Sequence, residues 1–118
     1  EVIDITEKID ALLREVEIKE GLCHLSLLHT TAALTTADLD PGTDLDLLAA
    51  CRGIVPKLVY RHPHDPKHVS DHILSSLIGT QLSLPFKNRE LVVGTWQRVV
   101  LVELNGPRSR EIVLTFIK

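Results

Sequence analysis

The sequence predicts an α+β fold, a mostly antiparallel sheet packed with about three helices, in a single domain over residues 1–118. Three observations carry this. Helical periodicity is confined to stretches ahead of residue 80, and β-branched runs separated by turn signals dominate after it. The segments come in blocks of strands and helices, not in the strict alternation of a parallel βαβ fold. A length of 118 residues with 44% hydrophobic content suits one core.

Taken in order, Thr6 is placed to cap a first helix, with Glu7 in its first turn. Ile9, Leu12, Leu13 and Val16 then recur at i, i+3, i+4 and i+7 and form one apolar face. Glu20-Gly21 turns the chain into Leu22–His29, which reads as a buried strand. The segment from Thr30 to Thr36 is rich in Thr and Ala and fits either strand or coil. Asp40-Pro41-Gly42-Thr43-Asp44 is a helix-start cluster in which Asp40 is the expected cap. A second helix runs from about Asp44 to Arg52, stopped by Gly53 and Pro56. Two prolines and two histidines between Tyr60 and Lys67 preclude regular structure there. Ser70 caps a third helix through Ile78, closed by Gly79. Strands follow over Gln81–Leu84, Glu90–Thr95, Trp96–Leu104 and Arg110–Ile117, with turns at Lys87-Asn88-Arg89 and Asn105-Gly106-Pro107.

Composition narrows the function. The formal net charge of −3 argues against a nucleic-acid binder, which would carry a basic stripe. No apolar run reaches the ~18 residues of a membrane span. Glu1-Val2-Ile3-Asp4 lacks the basic start of a signal peptide, so a soluble, cytoplasmic protein is expected. The absence of methionine, even at position 1, sets the expectation of a native start upstream of Glu1. Cys23 and Cys51 form no C-x-x-C pattern and read as buried reduced thiols. Such a short chain exposes much of its surface, which favours self-association.

Histidine is the richest chemical signal. Four of the six lie between Arg61 and His72. Neutral imidazole is the commonest metal ligand and titrates near neutrality. For His62 and His72, metal or catalytic use stands beside a polar loop role; His64 and His68 read as loop polarity. His29 is placed on a strand face with Cys23, Leu25 and Leu27. It reads either as a strand-end imidazole bonded to a backbone carbonyl, or as a ligand or base at a pocket rim with Thr30 and Thr31 as hydroxyl donors. Asp38 follows at a range that suits assistance to such an imidazole. On the Trp96–Leu104 strand, Gln97, Val99, Leu101 and Glu103 share one face and Trp96, Arg98, Val100 and Val102 the other. The face bearing Gln97 and Glu103 is either core with paired polar ends or a pocket lining. The lone Trp96 is a core plug or a pocket wall. Arg108 and Arg110 are turn arginines, solvated or clamping a phosphate. No Walker loop, G-x-G-x-x-G, H-E-x-x-H or G-x-S-x-G occurs.

Several blocks then coincide in order: His29-Thr30-Thr31-Ala32-Ala33-Leu34, Asp40-Pro41, Tyr60-x-His62, His72-x-x-x-Ser76-x-x-Gly79, Gly94-Thr95-Trp96-Gln97, and Glu103-x-x-Gly106-Pro107-x-x-Arg110. Together they resemble the YjbQ family of small proteins over about Asp4 to Ile117. The resemblance implies an α+β YjbQ-like fold and a homotrimer with pockets near subunit boundaries. It implies His29, His62 and His72 around a metal or anion site, with a divalent metal, zinc or magnesium. It also implies a weak or secondary thiamine-phosphate synthase activity on small phosphorylated substrates. In that scheme His29, His62, His72 and Asp38 are catalytic. Thr30, Thr31, Trp96, Gln97, Glu103, Arg108 and Arg110 line the substrate. The chain departs from the family pattern at Ala37-Asp38-Leu39, where only Asp38 can supply the acid, at His68-Val69-Ser70-Asp71 ahead of His72, and in a missing or shortened first strand. The alternatives are a non-enzymatic binder of metal or a phosphorylated ligand, and a metal-dependent hydrolase.

Overall fold

The computed structural model describes residues 1–62 and 68–118. Among the described residues seven strands form two antiparallel sheets, and three helices accompany them. The chain order is β1 (Val2–Asp4), α1 (Thr6–Leu13), β2 (Glu20–Leu27), β3 (Ala32–Ala37), α2 (Thr43–Ile54), α3 (Val69–Ile78), β4 (Gln81–Lys87), β5 (Glu90–Leu91), β6 (Arg98–Glu103) and β7 (Ile112–Ile117). One sheet has the order β1-β6-β3 and the other β5-β4-β2-β7. The α+β expectation stands, with the refinement that the strands divide between two sheets.

Strand β6 explains the layering. It is the middle strand of its sheet and its side chains alternate between two cores. Val99 and Leu101 join Ile5, Ile9, Leu13, Leu25 and Phe86 between the sheets and under α1. Val100 and Val102 join Cys51, Val55 and Leu74 beneath α2 and α3. Both faces of β6 are thus buried, which is why it reads as an unbroken apolar run. Strand β2 has one wet face instead: Cys23, Leu25 and Leu27 point inward while His24 and Ser26 point outward. Outside, the His24 ring meets its cross-strand partner Ser83 at 2.7 Å. Both cysteines are buried free thiols, and burial pushes the Cys23 thiol up to about 11.

Several local expectations shift. Thr6 is the first residue of α1, not its cap. Its hydroxyl donates to Asp4 Oδ1 at 2.7 Å and accepts the Val99 amide at 2.8 Å, so it ties the helix start to β6. Asp4 Oδ1 also accepts the Thr6 amide, the capping role displaced two residues upstream. Asp40 caps nothing with its side chain; α2 starts behind Gly42, whose φ of 90° is glycine territory. Asp38 accepts the Asp40 amide in a local turn instead. Ser70 lies inside α3, as its second residue, and the cap position falls to His68. The predicted strand Glu90–Thr95 ends at Leu91, because Gly94–Gln97 folds as a turn closed by the Gln97 amide donating to the Gly94 carbonyl. At Gly21, a Cβ would stand 2.1 Å from the Ile117 carbonyl oxygen, so only glycine lets β2 and the end of β7 approach.

Candidate functional site

A cleft of about 410 Å³ opens where three chain segments meet: the turn after β2, the residues on either side of the α3 start, and the β6–β7 turn. It is lined by His29, Thr30, Thr31, His62, His68, His72, Asn105, Arg108 and Arg110, with Leu28. The histidines and arginines expected from the sequence therefore share one cavity. Asp38, Trp96 and Gln97 do not belong to it. They border a separate shallow hollow beside Thr36 and Ala37. Trp96 is 74% exposed there, so it is no core plug. Gln97 closes its own turn, its Oε1 accepting the Gly94 amide at 3.0 Å and its Nε2 donating to Thr36 Oγ1 at 3.1 Å. Strict strand alternation does not govern Trp96 and Gln97, because neither lies in a strand.

His29 sits beyond the end of β2, not within it, because β7 begins opposite Leu27. Its Nε2 accepts the Glu111 amide hydrogen at 2.7 Å, so the neutral ring carries its proton on Nδ1. The partner is an amide and not the carbonyl expected of a strand-end histidine. His72 is arranged oppositely. Its Nδ1 donates to the Thr30 carbonyl at 3.0 Å, leaving Nε2 with the lone pair of the neutral ring. A ring nitrogen held by a backbone carbonyl fixes both tautomer and orientation. The His62 ring stacks on His72, with centroids 4.9 Å apart and planes 22° from parallel.

This donor set does not compose a ready three-ligand metal site. The Nε2 of His29 is engaged by an amide, and near-parallel stacked rings direct their in-plane lone pairs side by side and not onto a common point. Among the described residues no three His, Cys, Asp or Glu groups are placed to hold one ion. His64 lies outside the described residues.

Arg110 lines the cleft and is joined to Glu103, which borders the neighbouring hollow, as a buried pair, each side chain 6% exposed. Arg110 Nε reaches Glu103 Oε1 at 2.7 Å and Nη2 reaches Oε2 at 2.5 Å, a bidentate fork. Nη2 also donates to the Thr31 carbonyl and hydroxyl, each at 3.0 Å. The Arg110 hydrogen bonds hold the Glu103 carboxyl below the ordinary 4.5 of a glutamate, against burial, which pushes it up. Gly106 is required by this pair: a Cβ there would lie 2.7 Å from Glu103 Cγ. Arg108 differs. It is exposed, and its Nε donates to the Asn105 carbonyl at 3.1 Å.

Sequence reasoning set aside His68, which the structure brings into the cleft. Its Nδ1 faces Asp71 Oδ2 at 3.2 Å, and Asp71 is buried. The available signal was His68-x-x-Asp71, an i, i+3 pair at a helix start. The electrostatic outcome is plain. Among the described residues no carboxylate lines this cleft, and Asp71 stands behind His68; imidazoles, hydroxyls and Arg108 make its surface. Such a surface suits an anion.

The whole chain, residues 1–118, matches the family model described as UPF0047 protein YjbQ-like. A UPF0047 protein of Archaeoglobus fulgidus is 32% identical over 97% of this chain and 89% of its own length. The UPF0047 protein YugU of Bacillus subtilis is 32% identical over 93% of this chain and 84% of its own. Among solved structures, a YjbQ/UPF0047-family protein of Clostridium acetobutylicum superposes with a TM-score of 0.87 at 30% identity, covering 99% of this chain and 91% of that one. A hypothetical protein of Aeropyrum pernix gives a TM-score of 0.88 at 30% identity, over 98% and 87%.

Proposed function

The chain belongs to the YjbQ-like UPF0047 family, and from that premise we propose that its histidine cleft binds a small phosphorylated substrate and acts on it as a thiamine-phosphate synthase-type transferase. The observation that carries the reading is the cleft's composition: oriented imidazoles, threonines and Arg108, with no carboxylate among its described lining residues. In that reaction the thiazole phosphate nitrogen attacks the methylene of hydroxymethylpyrimidine diphosphate. The C–N bond forms as the C–O bond breaks, and pyrophosphate leaves. Charge building on the departing diphosphate is the chief electrostatic demand. Arg108 and the Thr30 hydroxyl are the contacts for its oxygens, and His72 presents Nε2 as a hydrogen-bonding and proton-exchanging group. Arg110 serves through structure, holding Thr31 and Glu103 in place.

The test pairs binding with turnover. Inorganic pyrophosphate should raise the melting temperature of the wild-type protein, and Arg108→Ala should abolish most of that rise. Thiamine phosphate should form from both precursors, and His72→Ala should slow it by roughly 10²–10⁴-fold. Absence of a pyrophosphate effect would remove the anion site; absence of product with binding intact would leave a binding protein. That second reading is favoured by Asp38, which stands in a different hollow and so lends the cleft no carboxylate. Self-association into a trimer belongs to the same proposal. It draws support from an apolar hollow of about 350 Å³ between the sheets, bordered by the half-exposed Leu12. Light scattering on the purified protein checks it.

A further inference from the structure

Asp71 is a buried carboxylate held directly behind the cleft. It lies in the first turn of α3, with its side chain 7% exposed. Its Oδ1 accepts Arg52 Nη1 at 2.5 Å, and its Oδ2 faces His68 Nδ1 at 3.2 Å. Arg52 is fixed in turn, its Nη2 donating to the Leu104 carbonyl at 3.0 Å. With one oxygen claimed by the guanidinium, the other is left to orient the imidazole. An ionised carboxylate offers only acceptors, so the ring nitrogen facing it must donate. His68 is thereby set with its proton on Nδ1, and its ring lines the same cleft as His72.

The two imidazoles have unlike supports. His72 leans on the neutral Thr30 carbonyl, His68 on a buried carboxylate. A carboxylate behind Nδ1 stabilises the imidazolium, whereas a carbonyl mainly orients the ring. We infer that His68 is the proton donor of the cleft and that Asp71 is its positioning residue, an assignment that rests on the phosphorylated-substrate reading above. As the C–O bond to the diphosphate breaks, its electron pair stays on the departing oxygen. The Nε2 proton of the His68 imidazolium moves to that oxygen. His68 ends neutral, with its remaining proton on Nδ1 toward Asp71.

The experiment uses the full chain, inorganic pyrophosphate as probe, and isotope-edited NMR of the imidazole nitrogens. Wild type should show His68 in the Nδ1–H form when neutral, and pyrophosphate should shift the Nε2 signals of both His68 and His72. In Asp71→Asn, Arg52 claims the amide oxygen and the NH₂ group faces His68, so the tautomer should reverse. His68→Gln leaves the Arg52–Asp71 pair in place; it should lower kcat by roughly 10²–10⁴-fold with KM within a few-fold. A neutral Nε2–H form of His68 in wild type, or an unchanged kcat in His68→Gln, overturns the assignment. Shifts at His72 but not His68 overturn it while sparing the anion site. Shifts at neither remove the anion site and this assignment together.

Discussion

Removing the Glu103 charge should cost this protein a large part of its stability. Two bonds at 2.7 and 2.5 Å join Glu103 to Arg110, and each side chain is 6% exposed, so solvent screens the pair little. Deleting one partner of a buried pair strands the other charge, at about 3–5 kcal/mol. In Glu103→Gln the amide keeps an oxygen for Arg110, and Thr31 still accepts two of its hydrogen bonds, which places the loss near the lower limit, about 3 kcal/mol. For a chain of this size that is a melting-temperature drop on the order of 10 °C. Urea unfolding at pH 7 reads it directly. The acid limb adds a second reading. A carboxyl held below 4.5 when folded contributes stability that is fully present above 4.5 and is lost as pH falls through the lower folded value. Glu103→Gln should therefore flatten the stability-against-pH curve below about 4.5. A loss under about 1 kcal/mol with an unchanged acid limb would refute the reasoning, since the pair would then behave like a surface bridge.

Other outcomes follow from the same geometry. Gly21→Ala should lower stability by about 2 kcal/mol or more in thermal melts, because the new methyl meets the Ile117 carbonyl. His29→Ala removes the acceptor of the Glu111 amide; about 1 kcal/mol of stability should go, and hydrogen exchange at Glu111 should accelerate. Cys23, fully buried with its thiol pushed up to about 11, should resist alkylation at pH 8 until the protein unfolds.

The parts of the fold governed by period were legible in the sequence. Ile9 and Leu13 do face the core from α1, and the two faces of β6 separate Val99 and Leu101 from Val100 and Val102 as alternation requires. What escaped depended on partners distant in sequence. Val92 and Val93 favour a strand by propensity, yet the Gly94–Gln97 turn and the short β5 leave them outside one. Thr6 looks like a cap in isolation; only contact with Val99 recruits its hydroxyl elsewhere. Of the site, the histidine blocks were readable, as was opposite charge at Glu103 and Arg110 flanking a Gly-Pro turn. The bidentate pairing was not, since it needs the turn's shape. Nor was the separation of Asp38 from His29, because the eight residues of intervening chain include strand β3, which carries Asp38 to its far end.

The cleft draws its walls from residues 28–31, from 62 and 68–72, and from 105–110, and no element supplies two of these segments. It therefore has no existence in a fragment or a half-docked intermediate: the turn after one sheet, the start of α3 and the turn leaving the other sheet must all be in register. A ligand seated there has nothing to bind until folding is complete. Its free energy of binding should accordingly appear undiminished in the global unfolding free energy, rising with the logarithm of ligand concentration. Amides deep in β2 and β6 should then slow their exchange with solvent as much as those beside the ligand.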